Sequence, residues 1–96
     1  MRRKIKRRDR YFVYFVECSI GMYYAGYTND LDARIKLHNS GHGARYLRGK
    51  LPVKLVYAKE YKNYKNALRG ERNLKKLTRK QKEDSIRIYE RNKIYT

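Results

Sequence analysis

The run YFVYFVE, Tyr11 to Glu17, is the strongest constraint on how this chain folds. It is aromatic or β-branched up to its final glutamate, with no polar residue alternating. That is the pattern of a β-strand covered on both sides. The next residues supply a partner: Ser19-Ile20-Gly21 reads as a turn and Met22 to Tyr27 as a second strand, giving a hairpin. Gly26 inside that strand marks a bulge or a close backbone approach.

Beyond the hairpin the period changes. Thr28-Asn29-Asp30 offers capping side chains for a helix running to about Asn39, where Ser40-Gly41 ends it. SGHGARYLRGKLP, Ser40 to Pro52, is expected to be a mobile basic surface loop. VKLVYAKEY, Val53 to Tyr61, reads as a third strand. From Asn63 the pattern is helical, with Ala67, Leu68, Leu74 and Leu77 on one side. Thr78 and Gln81 form a capping box that opens a last helix. The expected fold is α+β: a small three-stranded antiparallel sheet flanked by three helices, in the order β-β-α-β-α-α. No repeat or linker splits it, so residues 11–92 are read as one domain, residues 1–10 as a basic arm and residues 93–96 as a tail.

Charge says more about partners than about fold. The chain holds 26 Lys and Arg against 9 Asp and Glu, a net +17 that draws phosphate polyanions from a distance. Hydrophobic content of 41% is too high for a disordered basic tail, so a packed domain carries this charge. The arm MRRKIKRRDR, with seven basic residues and one acid, serves either to track a phosphate backbone or as a solvated tail. Cys18 is the single cysteine; it has no disulfide partner and reads as a small buried apolar residue. No stretch approaches a membrane span and no apolar signal core follows the basic N-terminus. The expected location is therefore the cytoplasm, with association with the nucleoid as a variant. DNA is the expected partner and RNA the alternative, with no membrane; a homodimer or a repair-complex partner stays open.

Two helices carry polar residues on faces that should be apolar. In the first, Arg34 and His38 share or border the stripe of Leu31 and Ile35, and being four apart they reach the same place. Arg34 can otherwise form a surface pair with Asp30, and a lone His near a helix end is often a hydrogen-bonded boundary residue. In the second, Glu71 projects between Ala67 and Leu68, toward the sheet. A carboxylate there must be paired, protonated or bound to a cation. An ion pair with one of the many cations is one solution. A single hard divalent ion, Mg²⁺ or Mn²⁺, is the sharper one, because Mg²⁺ is often held by one or two carboxylates plus waters and phosphate oxygens.

Taken in order, these residues resemble the GIY-YIG nucleases, which carry two tripeptides on adjacent strands, an Arg on the following helix and a metal-binding Glu further on. Phe12-Val13-Tyr14 stands for the first tripeptide and Tyr24-Ala25-Gly26 for the second. Tyr14 and Tyr24 are ten apart and Arg34 is ten beyond, in the pattern Y-x-G-x-T-x-x-L-x-x-R; Glu71 lies in ALRGE. HNSGHGARYLRGKLPVKLVY and LTRKQKE look like the small stand-alone branch found in bacteria and archaea. His38 matches a histidine shared by that branch and by nucleases that cut branched DNA. Phe12 replaces a glycine of the motif and Ala25 an isoleucine. Tyr27 stands where repair members often carry Lys, and an Asn common beyond the Glu has no counterpart among Lys80, Gln81, Lys82 and Glu83.

The resemblance implies a metal-dependent endonuclease hydrolysing phosphodiesters in DNA, structure-dependent or loosely specific, with a role in repair or recombination. It implies one Mg²⁺ or Mn²⁺ at Glu71, Arg34 on a non-bridging oxygen, Tyr14 as base with Tyr24 orienting the water or phosphate, and His38 as relay or second phosphate contact. Arg45, Tyr46, Arg48 and Lys50 of the basic loop, with Lys75, Lys76 and Arg79 of the last two helices, are the expected contacts to the nucleic-acid backbone, and Tyr46 could also stack on an unpaired base. The competing reading is a non-catalytic nucleic-acid-binding or accessory protein with a degenerate site.

Overall fold

In the computed structural model, which describes residues 10–95, the apolar run becomes the middle strand of a sheet ordered β2-β1-β3. β1 (Tyr11–Glu17) pairs antiparallel with β2 (Tyr23–Thr28) on one side and with β3 (Lys54–Tyr61) on the other. Val13, Tyr14, Phe15 and Val16 are all buried, as a strand without alternation demands. Helix α1 (Leu31–Asn39) follows the hairpin, a 3₁₀ turn (Arg45–Leu47) lies in the loop before β3, and α2 (Tyr64–Lys76) and α3 (Arg79–Tyr95) close the chain. The fold is α+β in the order β-β-α-β-α-α. Residues 1–9 of the basic arm lie outside the described residues. α3 extends into the segment 93–96 that the sequence set apart as a tail.

Short-range chemistry places each helix. Asp30 caps α1 by accepting the Ala33 amide at 3.1 Å, and Asn63 caps α2 by accepting the Asn66 amide at 3.0 Å. Thr78 and Gln81 close the capping box at the start of α3, each accepting the other's backbone amide. Two clusters form the core. Tyr14, Val16, Cys18, Leu47 and Val53 pack with Leu31 and Ile35 of α1. Phe15, Ala25, Val56 and Ile86 pack with Leu74 and Leu77 at the α2–α3 corner. Burial pushes the Cys18 thiol above its ordinary pKa, consistent with a packing role.

One detail settles an alternative in the sequence expectation and a second departs from it. The sheet's irregularity lies between β1 and β3, at Phe15/Val16, and not at Gly26. Gly26 instead provides a close approach: a Cβ there would sit 2.6 Å from the Tyr14 hydroxyl, so the phenol ring lies over it. The segment from Ser40 to Pro52 is tied down rather than a free basic loop. Leu47 is buried in the core, the Ser19 amide donates to the Lys50 carbonyl at 3.0 Å, and the Val53 amide donates to Asn39 Oδ1 at 2.7 Å.

Candidate active site

β2 is an outer strand, and beside Gly26, Tyr27 and Thr28 a cleft of about 400 Å³ opens. Its walls bring together Tyr14 from β1, Tyr24 from β2, Arg34 from α1 and Glu71 from α2, with Tyr11 and Asn29 completing the rim. Four residues spread over more than half of the chain thus meet in one cavity. The sheet register, with Tyr14 opposite Gly26 and Tyr24 opposite Val16, sets the two tyrosines on neighbouring strands, and α1 and α2 bring Arg34 and Glu71 to them. Gly26 lets the Tyr14 ring extend across β2 toward the opening; any larger residue would push it away.

His38 stands behind Tyr14, not at the mouth. It is 2% exposed, and its Nε2 lies 2.9 Å from the Tyr14 hydroxyl oxygen. The Ala44 backbone N–H donates to Nδ1 at 3.3 Å, so Nδ1 must be the unprotonated nitrogen. A neutral ring then carries its proton on Nε2 and donates it to Tyr14. Gly43 makes this possible, since a Cβ there would fall 2.3 Å from Nδ1. Neither Gly43 nor Ala44 announces this role in the sequence; only the packing of the loop over α1 reveals it.

Charge in the cleft is finely opposed. Burial pushes the Tyr14 hydroxyl well above the ordinary range, Tyr24 and Glu71 push the same way, and the Arg34 guanidinium pulls it back. Burial, and then the Arg34 charge, hold His38 below its usual value. Glu71 is largely buried, its side chain 16% exposed, and its carboxylate meets the Lys75 ammonium at 3.5 Å. Asp30 commits a carboxylate oxygen to its cap, and among the described residues no ion pair holds Arg34. Its guanidinium is thus available to a phosphate.

A model of the GIY-YIG catalytic domain matches residues 10–84. The chain belongs to the GIY-YIG family. Curated relatives share it over most of their length: the UPF0213 protein of Bacillus cereus (strain ATCC 10987) is 48% identical over 77 residues, 80% of either chain. UPF0213 protein YazA of Bacillus subtilis is 45% identical over 75 residues, 78% of this chain and 76% of that one. Among solved structures, the solution NMR structure of a UPF0213 protein from Bacillus halodurans matches with TM-score 0.54 and 42% identity, covering 82% of this chain and 84% of that one. A second NMR structure, from E. faecalis, matches with TM-score 0.57 and 35% identity over 84% of this chain and 86% of that one.

Within this GIY-YIG domain the remaining candidate residues fall outside the cleft. Arg45, Arg48, Lys76 and Arg79 are exposed, and Lys50 is half-buried. Arg79 bonds Glu83 and the Gly21 carbonyl, at 3.0 and 3.1 Å, and lies over the Tyr23 ring. Tyr46 stacks on Tyr24 with centroids 6.0 Å apart and planes at 20°, and the Lys50 ammonium sits 4.1 Å from its centre. Tyr27 lines the cleft and meets Tyr64 of α2, hydroxyl to hydroxyl, at 3.3 Å. That contact, a second constraint on the rim, was invisible to periodicity. Among the described residues no helix is long and apolar enough to cross a membrane.

The His38 site also sets a pH dependence of stability. Its folded-state pKa is lowered, so below about pH 6.5 the unfolded chain takes up the proton more readily. The stability it contributes is present above that pH and is lost as the pH falls through the folded value. Denaturant titrations at about pH 7.5 and about pH 5.5 should show the parent losing stability. A His38→Gln variant, less stable at both, should lose less across the interval.

Proposed function

We propose that this GIY-YIG domain is a metal-dependent endonuclease that hydrolyses phosphodiester bonds in DNA, acting on nucleic-acid structure or with loose sequence preference, in repair or recombination. The observation that carries the reading is the meeting of Tyr14, Tyr24, Arg34 and Glu71 in one cleft beside β2. The family match and the net charge of +17 support it.

The donors in the cleft fit one hard divalent ion, Mg²⁺ or Mn²⁺. Glu71 is a largely buried carboxylate whose one ion-pair partner among the described residues is an exposed Lys four residues on, a weak pair that a cation displaces easily. Among the described residues no group of three His, Cys, Asp or Glu gathers, which suits an ion held by Glu71 and waters rather than a zinc cage. When bound, such an ion supplies charge neutralisation at the scissile phosphate and at the leaving 3′ oxygen.

The chain's own residues supply the rest. Arg34 holds a non-bridging phosphate oxygen through its fork of donors. Tyr14, as phenolate, takes a proton from water; the resulting hydroxide oxygen bonds to phosphorus as the bond to the 3′ oxygen breaks, the 3′ oxygen takes a proton from solvent, and Tyr14 returns its own to solvent. His38 favours the phenolate by donating its Nε2 proton to the Tyr14 oxygen, and Arg34 favours it by charge. Neutralising Glu71 removes one of the influences that keep Tyr14 protonated. Tyr24, on the adjacent strand, orients water or phosphate. DNA is the substrate class, with RNA as the alternative. Mutual pairing of two such domains, or docking in a repair complex, would let two strands be cut.

A non-catalytic binder is the second reading. The Lys75 ammonium on Glu71 favours it, since it stands where a cation would act. One panel separates the two: plasmid, linear duplex, single strand, flap, Holliday junction and RNA, each with Mg²⁺, Mn²⁺ or EDTA. Products that need metal and vanish with Glu71→Gln establish the enzyme. Salt-sensitive binding with no product under any metal overturns it in favour of the binder.

A further inference from the structure

The outer strand β2 borders a second cleft, of about 360 Å³, walled by Tyr23, Tyr24, Ala25, Tyr46, Lys75 and Lys82. Tyr24 is common to both clefts, and Lys75 joins them as well, because its ammonium reaches Glu71 of the first. The two therefore lie side by side along one outer strand and overlap at Tyr24, with Tyr23 to Ala25 bordering the second and Tyr24 and Gly26 to Thr28 the first. Their chemistries differ. The first presents hydroxyls, a guanidinium and a carboxylate. The second is lined by three aromatic rings and a small alanine, with two lysines and no carboxylate.

A ligand that is anionic at one unit and flat and aromatic at the next matches this sequence of surfaces. That ligand is a nucleotide chain: phosphate in the first cleft, base in the second. Tyr46 is 43% exposed and stacked on Tyr24, with the Lys50 ammonium 4.1 Å from its ring centre, so a base joins this stack by displacing Lys50 toward a phosphate. The bond between Lys75 and Glu71 spans four residues on an α2 face and is weak, so Lys75 can turn to a neighbouring phosphate at little cost.

We propose that the second cleft receives the base of the nucleotide next to the scissile phosphate, and that it accepts that base only when unpaired. The proposal rests on the nuclease reading for the phosphate and adds the reason for structure dependence. A base inside a duplex must be unstacked and unpaired before it can reach Tyr46, whereas a flap, junction or single strand offers it free. Lys82 and Lys75 then meet flanking phosphates, and no base edge is read, so the preference is for structure over sequence.

The test is equilibrium binding by fluorescence anisotropy, with Glu71→Gln protein in EDTA so that no strand is cut. Three labelled probes of equal length are compared: a single strand, the same strand built from tetrahydrofuran abasic units, and a blunt duplex. The base-bearing strand should bind about tenfold more tightly than the abasic one, although their phosphates are the same. Adding Tyr46→Ala should erase that difference and cost the base-bearing single strand more than the duplex; adding Lys82→Ala should weaken both single strands alike. Equal binding of base-bearing and abasic strands overturns the base subsite and leaves the nuclease reading intact. So does an equal loss on single strand and duplex with Tyr46→Ala. Failure to bind any of the three at low salt overturns the nuclease reading together with the subsite.

Discussion

On the proposed function, Glu71→Gln should lower metal-dependent cleavage by about 10²–10³-fold, and Arg34→Ala should do the same, while both proteins should stay folded and keep salt-sensitive DNA binding. Each removes one preorganised charge from the place where charge develops on phosphorus. An amide in place of the Glu71 carboxylate would keep the shape of the side chain in its pocket but lose the negative oxygen that suits a hard cation. Arg34 is not held by an ion pair among the described residues, so its loss should not break a structural network. The magnitudes follow from electrostatics in a partly desolvated cleft: Glu71 is only 16% exposed. Circular dichroism and anisotropy establish folding and binding, and single-turnover cleavage with Mg²⁺ gives the rate. If either variant cuts as fast as the parent, the assignment of that residue fails.

How far the site can be read from the chain depends on what kind of contact fixes each residue. The strands and the three helices follow from period and caps alone. Asp30, Asn63 and the Thr78–Gln81 box act within three residues of where they stand, and each does in space what its position suggests. Tyr14, Tyr24, Arg34 and Glu71 lie further apart, yet strand register and helix facing bring them together because those are periodic too. Outside periodic elements this reasoning stops. The segment after α1 is rich in glycine and cations and reads as a mobile surface, but Gly43 and Ala44 fold back on His38 and Leu47 enters the core. The fold-back is decided by a few tertiary contacts, which leave no pattern in a linear chain. Gly26 shows the same limit: its need for space was legible, but whether a bulge or a neighbouring ring used that space was not.

Gly26 and Tyr14 together give the sharpest separation of chemistry from packing. Tyr14→Phe removes one oxygen from a buried ring and keeps its shape, so the domain should fold. Its cleavage rate should fall by about 10²–10⁴-fold, the range for loss of a general base. The His38 donor would be left facing a ring edge, at a stability cost of about 1–3 kcal/mol. Gly26→Ala keeps the hydroxyl but places a methyl group 2.6 Å from it, so the ring must move, at a similar cost of about 1–3 kcal/mol. The two losses differ in their pH dependence. Burial holds the parent's Tyr14 above its ordinary value, so the phenolate fraction, and with it the rate, should climb about tenfold per pH unit through the range near pH ~7 to ~9. Gly26→Ala retains that slope at a lower rate, because the ionising group is still present. On the proposed mechanism Tyr14→Phe should flatten it, because the proposed base would be gone and only Arg34 and Glu71 would still act. A Tyr14→Phe protein with the parent's slope would move the base to another residue, and Tyr24, the other strand tyrosine in the cleft, would be the one to change next.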